Sequence, residues 1–90
     1  MARHAKVKSY MGRYHFHISD EDVHLDLHSA ELTGETAILE RAERLAFALL
    51  REPASPYAAD PDRWEIRVTD DRGVEVLTLP LSEVAGRGTH

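Results

Sequence analysis

The histidines are the residues of this sequence with the most chemistry to offer. His15 and His17 lie two positions apart, and His24 and Asp26 repeat that spacing further along the chain. Residues two apart in a β-strand share one face, and directly opposed Cβ atoms of paired strands are about 4.5–5.5 Å apart. Imidazoles with a carboxylate suit zinc, nickel or copper. The pattern predicts a metal site at these four residues. The alternative is a polar sheet face that uses histidine by chance.

Phe47 is the second candidate, and it points to protein binding rather than to a metal. It lies opposite the apolar stripe of the helix predicted below, among charged side chains. An aromatic ring in that position costs solvation free energy unless something covers it. Three alternatives are open: Tyr57 and its proline-rich loop cover the ring, a second copy of the chain covers it, or it stays in solvent. A second copy would form a symmetric dimer, the commonest closed oligomer.

The first thirteen residues are basic, whereas the remainder of the chain is acidic. They carry four basic side chains and no acid, so the net charge of −5 divides into +4 for this segment and −9 for the rest. Roughly three or four phosphate contacts give weak, salt-sensitive binding, and an acidic body repels nucleic acid and anionic lipid. We therefore expect no membrane partner and place nucleic-acid binding third among the functions. Its candidate residues are Arg3, Lys6, Lys8 and Arg13.

The familiar catalytic motifs are missing from the sequence. There is no cysteine, no Gly-x-Ser-x-Gly nucleophile turn and no glycine-rich phosphate loop ending in lysine. The pair Asp70-Asp71 stands before Arg72-Gly73 and is typical of a turn rather than of a general acid and base. We expect a protein that is not an enzyme and that uses no cofactor.

Two alternating segments predict the hairpin that would carry the histidines. Residues 14–18 and 23–27 alternate apolar and polar side chains, and the polar residues 19–22 between them read as a turn. Closing the turn with Ile18 opposite Val23 puts the apolar side chains of both strands on one face, and a slip by one residue would expose them. The other expected pairs are Phe16 with Leu25, Tyr14 with Leu27, His17 with His24 and His15 with Asp26.

One amphipathic helix follows this hairpin. Thr33 is the expected N-cap, and Pro53 ends the pattern. At about 100° per residue the apolar side chains form a single stripe. The stripe consists of Ile38, Leu39, Ala42, Leu45, Ala46, Leu49 and Leu50.

A second hairpin completes the predicted fold. Residues 53–63 contain three prolines and are expected to form a loop; residues 64–69 and 74–81 are expected strands around a turn at 70–73. The order ββ-α-ββ predicts an α+β fold with a four-stranded antiparallel sheet and one amphipathic helix packed on one face. We expect a flexible extension at 1–12, a single domain at 13–84 and a flexible tail at 85–90.

Four segments resemble a family of short uncharacterised bacterial proteins, a domain of unknown function, that open with Met-x-Arg-Tyr-Phe-Phe-His. The segments are Met11–Ile18, Asp26–Leu32, Val68–Gly73 and Leu77–Leu81, and they span nearly all of the expected domain. This sequence has His15 where the family pattern has Phe, and Ser29 where it has Gly. The resemblance implies the α+β fold and a cytoplasmic location, and it carries no activity.

The sequence thus predicts a cytoplasmic, non-catalytic module for protein–protein interaction or regulation. Its partner is a protein that the sequence cannot name or a second copy in a homodimer, with Phe47 and Tyr57 at the interface. The runner-up is a metal-binding domain that uses the histidine cluster.

Overall fold

The computed structural model describes residues 3–4 and 12–87. Four long strands form an antiparallel sheet with a long helix packed on it, as the sequence predicts. A 3-10 turn at Pro61–Arg63 stands between the second helix and the fourth strand. The elements are β1 Arg3–His4, β2 Gly12–Ser19, β3 His24–Leu32, α1 Glu35–Arg51, α2 Pro56–Ala59, β4 Glu65–Thr69, β5 Glu75–Pro80 and α3 Leu81–Arg87.

The sheet joins the two hairpins through β2 and β4. Its order is β1-β5-β4-β2-β3, so β2 and β4 are central while β3 lies at one end. The two-residue β1 pairs with β5 at the other end, with Arg3 opposite Thr78. This pair belongs to the segment expected to be a flexible extension, whose residues 5–11 lie outside the described part of the chain. The flexibility of that extension stays a prediction.

The core lies between one face of the sheet and α1. Tyr14, Phe16 and Ile18 of β2 point into it and are 4%, 0% and 0% exposed, which confirms the predicted inward face. From α1, Ile38 and the alanines of the predicted stripe are completely buried, and the leucines of the stripe pack around them. The remaining core residues are Ile66, Val68, Val76, Leu77, Leu79, Leu81 and Val84.

The predicted pairing of β2 with β3 is wrong by two residues. Ile18 pairs with Leu25 rather than with Val23, because β2 runs on through Ser19. The turn is closed by Asp20, whose amide donates to the Val23 carbonyl and whose carboxylate accepts the amides of Asp22 and Val23. A bulge at Leu27 then shifts the pairing by one more residue. The observed pairs are Ser19–His24, His17–Asp26, Phe16–His28, His15–Ser29 and Tyr14–Ala30.

The start of α1 also differs from the prediction. Its N-cap is Gly34 at φ 87° instead of Thr33, and no side chain caps the helix. That φ is in the left-handed region, which glycine enters without strain. The Gly34 carbonyl accepts the first helical hydrogen bond from the amide of Ile38.

The proline-rich loop contains structure of its own. In α2, the Ser55 hydroxyl accepts the amides of Tyr57 and Ala58, and Pro56 occupies the first turn. Serine as N-cap followed by proline is a strong helix start. The sequence carries this signal at 55–56, but the density of prolines obscures it.

The chain after β5 forms a helix where a strand end and a tail were expected. Pro80 has no amide to extend the ladder, so α3 begins at Leu81 and takes in Ala85 to Arg87. Leu81 and Val84 are completely buried, which holds α3 against α1. Residues 88–90 lie outside the described part of the chain. None of the helices within the described residues combines the length and apolar character that crossing a membrane requires.

Candidate functional site

His17 connects three strands on the polar face of the sheet. Because β2 is central, this side chain reaches both neighbouring strands. Its Nδ1 lies 2.7 Å from Oδ1 of Asp26 on β3, and its Nε2 lies 3.2 Å from Oγ1 of Thr69 on β4. Both ring nitrogens are therefore positioned by hydrogen bonds, which fixes the orientation of the imidazole.

His24 completes a cluster with these residues. Its ring centroid lies 4.6 Å from that of His17. One ring nitrogen of each histidine and a carboxylate oxygen of Asp26 all lie within 4.8 Å of one another. His17 is half-buried, whereas His24 and Asp26 are exposed. The structure thus brings together three of the four residues predicted as metal ligands, and we call them the His17 cluster.

His15 lies apart from the His17 cluster. The two-residue shift in register and the bulge at Leu27 together place it opposite Ser29 instead of Asp26. Its Nε2 lies 3.6 Å from Oδ1 of Asp71, in the turn between β4 and β5. His15 and His17 still line one shallow cleft of about 290 Å³ with Asp26 and Ser29.

Arg67 is the cationic neighbour of the His17 cluster. It lies opposite His17 in the pairing of β2 with β4. Its Nε donates to Glu65 over 2.6 Å, and its Nη1 lies 3.9 Å from Glu75. The hydrogen bond to Glu65 raises the pKa of the Arg67 guanidinium above its usual range. Two carboxylates therefore compensate the positive charge of Arg67 next to the cluster.

Ser19 is a buried polar residue on the same face. It pairs with His24 across the strands and is 2% exposed. Within the described residues its hydroxyl has no hydrogen-bond partner. Buried polar atoms are nearly always satisfied, so this hydroxyl is an exception next to the cluster. Sequence reasoning missed both Ser19 and Thr69, because neither could be placed without the strand order.

The turn beside the cluster is held by an ion pair. Asp20 accepts a hydrogen bond of 2.8 Å from Nε of Arg63, and its side chain is only 1% exposed. That hydrogen bond lowers the pKa of the Asp20 carboxyl, and the amides of Asp22 and Val23 act in the same direction. Arg63 ends the 3-10 turn that leads into β4. The pair therefore ties the β2–β3 turn to the chain segment that precedes β4.

The second candidate residue, Phe47, lies on the outer side of α1 and is 38% exposed. It borders a groove of about 240 Å³ between α1, α2 and α3. Tyr57 packs edge-on against Trp64 at a centroid distance of 4.8 Å and is half-buried. The groove is lined by Phe47, Leu50, Arg51, Ala58, Pro61, Val84 and Ala85.

Two of the four basic residues proposed to bind nucleic acid lie outside the described part of the chain. Lys6 and Lys8 lie outside the described residues, and Arg3 lies in β1. Arg13 is exposed on β2, where it donates to Ser29 over 3.4 Å and lies 3.9 Å from Glu31. The structure adds no observation that favours phosphate binding.

Comparison with known proteins gives a family but no activity. No curated protein matches the chain, and no solved structure matches it. A family model described as a domain of unknown function, DUF6894, matches residues 13–82, more than three quarters of the 90 residues. That range includes every strand of the sheet except β1 and part of β2. The chain therefore belongs to the family of the domain of unknown function DUF6894.

Proposed function

We propose that this protein is a non-catalytic interaction module that pairs with a second copy of itself through the outer face of α1. The observation that carries the proposal is the exposed ring of Phe47 at the rim of the groove between the three helices. A half-exposed aromatic ring beside apolar side chains favours burial against a partner. The lack of nucleophile and phosphate-binding motifs in the sequence supports a role in binding rather than in catalysis.

The charges around Phe47 favour a second copy as the partner. Glu43 lies one turn before Phe47 on α1, and Arg51 lies one turn after it. When two copies of α1 pack antiparallel about a two-fold axis at Phe47, the two rings meet at the centre. Glu43 of each copy is then opposite Arg51 of the other, which gives two symmetric ion pairs. A closed two-fold contact of this kind is self-complementary.

The groove supports the same arrangement. Leu50, a residue of the apolar stripe, lines the groove together with Phe47, Pro61 and Ala85. In the two-fold packing the two Phe47 rings meet beside both grooves, because each ring lines the groove of its own copy. Aromatic side chains that enter apolar pockets at the centre of an interface contribute the most to binding. The flanking ion pairs contribute register and specificity more than affinity.

Light scattering and sedimentation over a range of concentrations test the proposal. The wild type is expected to change from monomer to dimer as its concentration rises, because association follows mass action. Phe47→Glu places a charge at the centre of the interface and is expected to remain a monomer throughout. Val74→Glu is the matched control, because Val74 is 51% exposed in the β4–β5 turn, away from α1. A wild type that stays monomeric, or a Val74→Glu loss equal to that of Phe47→Glu, contradicts the proposal.

A charge exchange tests the geometry of the dimer. Glu43→Arg and Arg51→Glu are each expected to weaken association, since each places like charges opposite one another. The double variant restores the opposite signs and is expected to recover most of the wild-type affinity. Circular dichroism of each variant confirms that the helix is intact. If the double variant associates no better than the singles, the antiparallel packing is wrong.

A further inference from the structure

The geometry points to a binding site for a divalent transition metal ion, best represented by zinc, at His17, His24 and Asp26. This site is independent of the dimer proposed above, because it lies on the polar face of the sheet, whereas α1 covers the other face. Its donor set is two imidazoles and one carboxylate. That combination is common in zinc sites that keep a coordination position for water or another ligand.

The distances require only small side-chain movements. Donor atoms about 2.1 Å from a tetrahedral ion are about 3.4 Å from one another. Nδ1 of His17 and Oδ1 of Asp26 are 2.7 Å apart, and all three donors fit within 4.8 Å. The Asp26 oxygen must therefore move outward, and the His24 nitrogen must move inward, each by about 1 Å. Both side chains are exposed, which leaves room for these rotations.

Thr69 prepares His17 for coordination. Its hydroxyl lies 3.2 Å from Nε2 of His17. When Nε2 carries the proton and donates it to Thr69, the lone pair of Nδ1 points toward Asp26 and His24. Metal-binding histidines usually have their second nitrogen held by an outer hydrogen bond of this kind. In the absence of the ion, the hydrogen bond between Nδ1 and Asp26 contains a proton; when the ion binds, this proton passes to solvent and the neutral ring takes up its proton at Nε2.

The surroundings also favour a cation. The chain outside its first thirteen residues has a net charge of −9, and Arg67 beside the cluster is hydrogen-bonded to Glu65 and lies near Glu75. The hydroxyl of Ser19, which has no hydrogen-bond partner among residues 3–4 and 12–87, lies opposite His24 on the same face. Buried polar groups nearly always have a partner, so the Ser19 hydroxyl can accept a water molecule or a ligand on this face.

The simpler interpretation is that His17 and Asp26 form an ordinary hydrogen-bonded pair and that His24 lies nearby without a role. The two interpretations differ at His24, because only a metal site needs its nitrogen. His24 is exposed on the outermost long strand, so its removal leaves the fold intact. The test therefore centres on that residue.

The experiment is a calorimetric titration of the untagged full chain with zinc chloride, in a buffer that does not bind metals. We expect one site per chain for the wild type. His24→Ala and His17→Ala are each expected to weaken zinc binding at least about tenfold, since each removes one of three ligands. Because His17→Ala also removes two hydrogen bonds, Asp26→Asn provides a third variant whose folding is less at risk.

Two histidines serve as matched controls. His15 lies on the same face but beside Asp71, and His28 lies on β3 but bonds to Arg41 of α1. His15→Ala and His28→Ala are expected to keep zinc affinity within about twofold of the wild type, since neither removes a ligand. His4 and His90 are present in every variant and contribute the same background.

Nuclear magnetic resonance gives a second readout on the folded protein. Zinc is expected to shift the ring nitrogen resonances of His17 and His24 while those of His15 and His28 stay in place. Absence of binding to the wild type overturns the site. So does an equal loss of affinity in all histidine variants, which would mean that zinc binds histidines at random. If the zinc affinity is unchanged by His24→Ala, His24 is not a ligand, and His17 and Asp26 form only a hydrogen-bonded pair.

Discussion

The outer strands of the two hairpins, β3 and β5, differ in what surrounds them. Both hairpins close on an aspartate that accepts two backbone amides, Asp20 in one and Asp70 in the other. Yet β5 contributes Val76, Leu77 and Leu79 to the core and is flanked by β1, whereas β3 is mostly exposed and ends the sheet. The fold therefore depends on β5. The polar face of β3 is available for ligands.

Edge strands of this kind need protection from pairing with other chains. The β3 strand has a bulge at Leu27 and carries charged side chains, both of which discourage edge-to-edge association. The same bulge places Ser29 rather than His28 opposite His15. One irregularity thus limits pairing at the edge and defines which residues meet on the polar face.

The largest expected difference between β5 and β3 is in the unfolding free energy that is lost when a leucine side chain is shortened. Leu79 of β5 is completely buried, and Leu79→Ala is expected to cost about 2–5 kcal/mol of unfolding free energy. Leu25 of β3 is 49% exposed, and Leu25→Ala is expected to cost about 1 kcal/mol or less. A domain of this size has on the order of 3–5 kcal/mol to lose, so the first variant is expected to unfold at least partly.

Urea unfolding followed by the fluorescence of Trp64 measures both variants. Leu79→Val, a smaller deletion, keeps the comparison measurable when Leu79→Ala does not fold. Equal losses for the variants of β3 and β5 would show that both outer strands support the core to the same extent, which would break the comparison.

The prediction from sequence succeeded where a single face or stripe decides the outcome. Alternation placed Tyr14, Phe16 and Ile18 inward, and the helical stripe predicted which side of α1 is buried. Both predictions follow from the burial of apolar side chains, whose spacing can be read directly from the sequence. The order of elements then left an antiparallel sheet under one helix as the simplest solution.

Predictions that depended on one hydrogen bond were less successful. The β2–β3 register was missed because Asp20 closes a tighter turn than the polar run 19–22 suggested. The position of Thr69 beside His17 depends on β2 pairing with β4, and two hairpins can join by either edge. Three of four candidate ligands still came together, because His17, His24 and Asp26 lie before the bulge, where the shift of two residues keeps side chains on their original face.

Low pH is expected to weaken the β2–β3 turn, with a smaller effect on the unfolding free energy than the loss of buried volume at Leu79. The hydrogen bond from Arg63 lowers the pKa of Asp20 in the folded protein below its ordinary value of 3.8. The resulting stabilisation is fully present above that value and is lost as the pH falls through the lowered pKa. Asp20→Asn removes this contribution, so its deficit relative to the wild type is expected to be largest near neutral pH and to shrink below about pH 4.

Thermal unfolding at several pH values tests this expectation. Glu21→Gln, which removes an exposed carboxylate from the same turn, is the control, and its difference from the wild type is expected to stay small. Arg63→Gln is expected to behave as Asp20→Asn does, since it removes the other half of the pair. A deficit of Asp20→Asn that persists unchanged in acid would mean that the stabilisation does not come from the ionised carboxylate.

The smallest effect is expected at two buried serines. Ser55 accepts two amides as the N-cap of α2, so Ser55→Ala is expected to cost about 1 kcal/mol. Ser19 has no partner within the described residues, and Ser19→Ala is expected to change the unfolding free energy by about 0.5 kcal/mol or less, since no hydrogen bond is lost. Urea unfolding of both variants in the presence of a chelator measures the difference. If Ser19→Ala costs as much as Ser55→Ala, the Ser19 hydroxyl supports the fold. The polar face of β2 and β3 would then contribute to folding stability, as β5 does. The difference between the two hairpins would no longer indicate a ligand site.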